Sequence, residues 1–307
     1  MKNTQNELYQ SGLKQEWSVF SYIHTFFTPQ EWKTTVILLY TVFAMTLWVY
    51  IPRAPRLLLS AEIARMEFSG SEADTVMETR KKTGTETEMM VETYVLQLPS
   101  GADSSRTFTE RVYELMKSSQ QIFGVFLLFG MIPAFIVKFI FREQLSAYGL
   151  ALGNWRYARN ILLLALPLAL VSIYVSAKSP VYLGTYPYTP WILGGYETFQ
   201  EGWPFMMIHF VLYLFCYYLS WEFFFRGFIQ LGTGTTVGCV NAVLIGTITS
   251  TAVHFGPSAM SETVGAIVGG LAWGYFVFRT RSILTGWIMH AALGIFLDFF
   301  LLYHFLP

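Results

Sequence analysis

Ser220-Trp221-Glu222-Phe223-Phe224-Phe225-Arg226-Gly227 sets a carboxylate and a guanidinium four residues apart inside a run that is otherwise apolar and aromatic. Either charge is costly to hold in hydrocarbon, so the pair marks a functional site by default. At i and i+4 on a helix the two side chains lie on one face about one turn apart, where they can pair and share the cost of desolvation.

Composition places this stretch in a membrane. With 53% hydrophobic, 18% aromatic and 13% charged residues and a mean hydropathy of +0.43, the chain reads as a polytopic membrane protein. Its formal net charge is zero, which gives no sign of a nucleic-acid partner. Cys216 and Cys239 fall in or beside apolar runs, where a thiol acts as a small hydrophobe, and two isolated cysteines make no disulfide framework. The first 33 residues are polar and aromatic, so no cleavable signal peptide is expected and the first span directs insertion.

Apolar runs long enough to cross a bilayer, about 20 residues each, occur at 34–51, 121–141, 160–176, 205–231, 237–254, 262–278 and 282–302. The expected fold is an all-α transmembrane bundle of about seven spans with a small extracytoplasmic α/β insert. Its divisions are a tail or interfacial segment at 1–33, a first transmembrane helix at 34–51, the insert at 52–117 and a transmembrane core at 118–307. Lys138, Arg142, Arg156 and Arg159 crowd one connection and Arg279 and Arg281 another, which makes both cytoplasmic, with the N-terminus inside and the C-terminus outside. Arg53 and Arg56 argue mildly the other way. The insert carries nine Lys/Arg and eleven Asp/Glu, and a loop of this length translocates largely regardless of charge. Within it, 75–81 and 89–98 resemble a hairpin and 107–118 a helix. Gly265, Gly269, Gly270 and Gly274 form two small-xxx-small pairs that predict close helix packing.

Glu222, Arg226, His254, Glu262 and His290 thus put five ionisable groups into or beside helices meant for lipid. Each admits a plainer role except His290: Glu222 with Arg226 as a structural ion pair, His254 as a helix C-terminal cap and Glu262 as a favourable charge at a helix start. His209, His304 and His24 are weaker candidates. Jointly, a carboxylate and two imidazoles meeting in a partly dry pocket suit water activation, the glutamate accepting a proton while an imidazole orients the water or stabilises an oxyanion. The chain has neither an H-E-x-x-H helix nor a G-x-S-x-G elbow. Two histidines and a glutamate also suit zinc, which leaves a metallopeptidase open.

These residues resemble the motifs of the CPBP family, the CAAX prenyl protease and bacteriocin-processing (Abi) group of intramembrane glutamic endopeptidases. Its Glu-Glu-x-x-x-Arg motif corresponds to Trp221-Glu222-Phe223-Phe224-Phe225-Arg226, its Phe-x-x-x-His motif to Ser250-Thr251-Ala252-Val253-His254, and its His-x-x-x-Asn motif to His290-Ala291-Ala292-Leu293-Gly294. The likeness covers about residues 140–300. Two positions depart: Trp221 stands where the family has its water-activating glutamate, and Gly294 where it has an oxyanion-holding asparagine.

The resemblance implies a divergent, metal-independent intramembrane peptidase without a cofactor. It would act on a membrane-anchored peptide or protein, CAAX-type or leader, in the cytoplasmic membrane of a prokaryote. Glu222 would be the base, His254 would orient water, His290 would stabilise the oxyanion and Arg226 would fix Glu222. Trp221, Glu262 and Asp298 would support the site, Asp298 from two turns beyond His290. A catalytically silent scaffold or immunity factor is the alternative from another class, and a proton-coupled transporter is weaker because no inverted repeat is visible. Sequence also sets a geometric demand. If a turn occupies 232–236, Glu222 and His254 differ in depth by roughly 12 Å, and Gly232-Thr233-Gly234 is the expected place for a linker that dips into the membrane.

Overall fold

The structure, a computed structural model, describes residues 28–50, 122–178, 199–254 and 260–305. Every residue from Ser220 to Gln230 is buried, so the quoted stretch forms the axis of the molecule. A helix that is apolar nearly all round belongs inside a bundle, and here the aromatic side chains do the packing. Phe224 stacks on Phe129 at 4.4 Å between ring centroids, and Tyr40 meets the edges of Phe224 and Phe228.

Seven helices longer than ten residues lie among the described residues: α1 Pro29–Tyr50, α2 Ile122–Ile140, α3 Trp155–Ser176, α4 Met206–Val237, α5 Cys239–Ala252, α6 Met260–Thr280 and α7 Leu284–Phe305. No strand occurs among these residues. The hairpin and helix expected in the insert, and the interfacial tail before residue 28, lie outside them. Four helices, α2, α3, α4 and α7, are long and apolar enough to cross a membrane. The other three stretches read as spans are helical too. At 14 residues, however, α5 is only about 21 Å long, short of a hydrocarbon core of about 30 Å. The outer wall is α3, which presents Leu163, Leu164, Leu168 and Val171 outward.

The turn after the central helix is not where the sequence suggests. Gly232-Thr233-Gly234 stays helical, since Thr233 Oγ1 donates to the Ile229 carbonyl and Gly232 lets Ile37 and Tyr148 approach closely. The chain reverses at Gly238, whose φ of +83° suits only a residue without a Cβ. Glu222 therefore lies sixteen residues before the turn and His254 sixteen after it, and the expected depth mismatch disappears.

Of the four glycines in α6, two make the close contacts. Gly270 lies against Thr247, and Gly274 against Val243 and Gln230, whereas Gly265 has nothing nearby. Gln230 Nε2 donates to the Gly274 carbonyl at 2.7 Å and ties α4 to α6.

The two basic connections meet at one end of the bundle. Asn154 N donates to Thr280 O and Ile283 N to Gly149 O, while Arg142 and Arg281 both take left-handed φ values of 57° and 56° just after their helices. The start of α1 joins the same end through Lys33 Nζ and Glu143 Oε2, 2.8 Å apart, with Tyr148 donating to the same oxygen. Burial alone would raise the Glu143 carboxyl, but the hydrogen bonds from Lys33 and Tyr148 and the Lys33 charge outweigh it and hold the value below 4.5. A lowered folded-state value means the contribution is complete above the unfolded value and disappears as pH falls through the folded one. Acidification below pH 4.5 is therefore expected to loosen this end, read as faster hydrogen exchange at Lys33 to Val36. Glu143→Gln should remove that pH dependence.

Candidate active site

Tyr218, Glu222, Arg226 and Gln230 recur every fourth residue along α4, so these four polar side chains form one stripe on a largely apolar helix. The backbone makes wide i→i+5 turns over Tyr213–Tyr218 and Phe223–Leu231, with a short α segment Leu219–Glu222 between them. Such widened turns are rare and concentrate at functional sites.

Glu222 is fully buried and its two oxygens have different partners. Oε1 lies 2.8 Å from His290 Nδ1, and Oε2 lies 3.5 Å from Arg226 Nε. Close approach of α7 depends on Gly286, where a Cβ would stand 2.6 Å from Oε2. An ionised carboxylate only accepts hydrogen bonds, so His290 donates through Nδ1 and a neutral ring then offers its Nε2 lone pair outward. The His290 side chain keeps 19% of its surface exposed. Trp273 from α6 braces both partners, with its ring centroid 4.8 Å from that of His290 and 5.7 Å from the Arg226 guanidinium.

His254 also lies against Trp221. The indole meets His254 at 6.0 Å and His290 at 6.2 Å, both edge-on, so one ring contacts both imidazoles. His254 Nδ1 donates to the Ser250 carbonyl at 2.9 Å, and Nε2 faces Glu262 Oε1 at 3.9 Å. Glu262 sits in the first turn of α6, where a carboxylate complements the helix dipole. The arrangement thus holds two carboxylate–imidazole pairs, Glu222 with His290 and Glu262 with His254, whose imidazoles both contact one indole. Among the described residues no three His, Cys, Asp or Glu side chains gather as a metal-ligand set.

Asp298 does not join this centre. It lies 3.3 Å from His209 Nε2 in a second buried pair further along the α4–α7 seam. Gly286, Trp273 and Tyr218 are parts of the site that motif reading misses. Once Glu222 is set opposite His290 on antiparallel helices, one turn back on α4 and one turn forward on α7 brings Tyr218 opposite Gly294. That register was available from the sequence.

A model of the family described as type II CAAX prenyl endopeptidase, Rce1-like, matches residues 202–296. This segment is a CPBP-family domain. It runs from the start of α4 through most of α7 and holds Glu222, Arg226, His254, Glu262 and His290. No curated protein and no solved structure matches the chain. Together with the four helices long and apolar enough to cross a membrane, the family match supports an integral membrane protein whose 202–296 segment is similar to CAAX proteases.

Proposed function

We propose that the protein is a metal-independent intramembrane peptidase that hydrolyses a membrane-anchored peptide of CAAX or leader type. The observation that carries this reading is the 2.8 Å contact between a fully buried Glu222 and a partly exposed His290. A base must reach its water. Glu222 is fully buried, with Oε1 on His290 and Oε2 at ion-pair distance from Arg226 but without a hydrogen bond, so the base we assign is Nε2 of His290. Glu222 then fixes the productive tautomer and stabilises the imidazolium, and Arg226 holds Glu222. In the reaction, His290 takes a proton from water as the oxygen attacks the scissile carbonyl carbon, and returns it to the leaving nitrogen as the C–N bond breaks. His254, anchored through Nδ1 on Ser250, presents its Nε2 lone pair to accept a hydrogen bond from the attacking water, with Glu262 beside it.

One observation favours a silent scaffold instead. Trp221 packs against both histidines, at the position where the family pattern has its water-activating glutamate. Purified protein in lipid vesicles, offered farnesylated CAAX peptides and single-span leader reporters with and without a chelator, distinguishes the readings. Cleavage that survives the chelator is the expected result. Loss of cleavage restored by zinc would support a metallopeptidase. A wild-type protein inert on every substrate, with cleavage gained by Trp221→Glu, would support the scaffold.

A further inference from the structure

The residue opposite Gly294 supplies what that position lacks. A Cβ built on Gly294 would coincide with the Tyr218 hydroxyl, so the phenol occupies the root of the side chain that α7 does not carry there. Gly294 follows His290 by one turn, and Tyr218 precedes Glu222 by one turn, so the hydroxyl lies on the seam that holds the Glu222–His290 pair. The Tyr218 ring is buried and its centroid is 4.8 Å from that of His290. Packing alone would be served by phenylalanine, as at Phe223, Phe224, Phe225 and Phe228 on the same helix. A hydroxyl beside the base is the added feature.

Resting on the peptidase reading, we infer that Tyr218 is a catalytic residue whose hydroxyl donates to the oxyanion formed during hydrolysis, replacing the side chain missing at 294. Water attacks the carbonyl carbon, its proton passes to His290, and the carbonyl π pair moves onto oxygen. That oxygen accepts the Tyr218 O–H hydrogen bond until the C–N bond breaks and the pair returns. A phenol is a donor in its neutral state. Aromatic neighbours hold the Tyr218 ring in place, and a preorganised donor in a dry site is effective where charge develops. Gly294 is the enabling residue because any side chain there would push the hydroxyl out.

The test uses the farnesylated CAAX peptide and a phosphonate analogue of it, which carries a tetrahedral anionic centre. Tyr218→Phe should lower kcat by about 10²- to 10³-fold, weaken phosphonate binding by a similar factor, and leave KM and the thermal midpoint unchanged. Gly294→Asn combined with Tyr218→Leu, which clears the space, should cleave at least tenfold faster than Tyr218→Leu alone. If Tyr218→Phe cleaves like wild type while Glu222→Gln does not, this inference is overturned and the peptidase reading stands. If Tyr218→Phe loses both rate and stability, the double variant decides, and absence of rescue overturns the inference. Wild-type protein inert on all substrates overturns both.

Discussion

Glu222→Gln is expected to lower kcat for peptide cleavage by about 10³- to 10⁴-fold, the scale of loss when a buried carboxylate that fixes a catalytic imidazole becomes an amide. The reason lies in which atom faces which partner. Arg226 offers only donors, so the amide oxygen turns to Arg226 and the NH₂ to His290. Nδ1 of His290 must then accept, which places its proton on Nε2 and leaves no base facing the substrate. Shape is preserved, but the buried Arg226 loses its counter-charge, so the thermal midpoint should fall and kcat is compared at a temperature where both proteins are folded. Because Glu222 and His290 act as a unit, the double variant should be hardly slower than the worse single one. A Glu222→Gln protein with near wild-type kcat would remove Glu222 from the mechanism.

Arg226→Met has the largest expected effect on stability, a loss of about 3 kcal/mol, at the lower end of the range for breaking a buried ion pair. It is not larger because Glu222 keeps a second partner, the His290 Nδ1 at 2.8 Å. Adding Glu222→Gln should recover much of the loss, since the stranded carboxylate and not the missing guanidinium is the main cost. Unfolding in detergent, followed by tryptophan fluorescence, reads both variants. A double variant as unstable as the single one would contradict a structural ion pair.

The central helix was legible because charges in an apolar run can only be accounted for by partners, and the i and i+4 spacing named the first of them. The all-helical architecture followed from the same hydropathy. The turn was misplaced, since Gly232-Thr233-Gly234 has the composition of a linker but is held in the helix by a threonine back-bond and close packing, and the positive φ of Gly238 leaves no mark on hydropathy. Four of the seven apolar stretches form helices long and apolar enough to cross a membrane among the described residues, and α5 at 14 residues is shorter than that. Gly294 read as a deletion of function, whereas the side chain that fills its place comes from another helix and looks like one more aromatic in an apolar run. The contact of Trp221 with both His254 and His290 was equally hidden, for spacing gives a residue's face and depth but not which rings meet.

The account rests on His290 as the base oriented by a buried carboxylate, and the most direct measurement is single-turnover cleavage of the farnesylated peptide by wild-type and His290→Ala protein in vesicles containing a chelator. Wild type should cleave, and His290→Ala should be slower by at least the factor expected for Glu222→Gln, measured at a temperature where both proteins are folded. Equal single-turnover rates for the two proteins would contradict it.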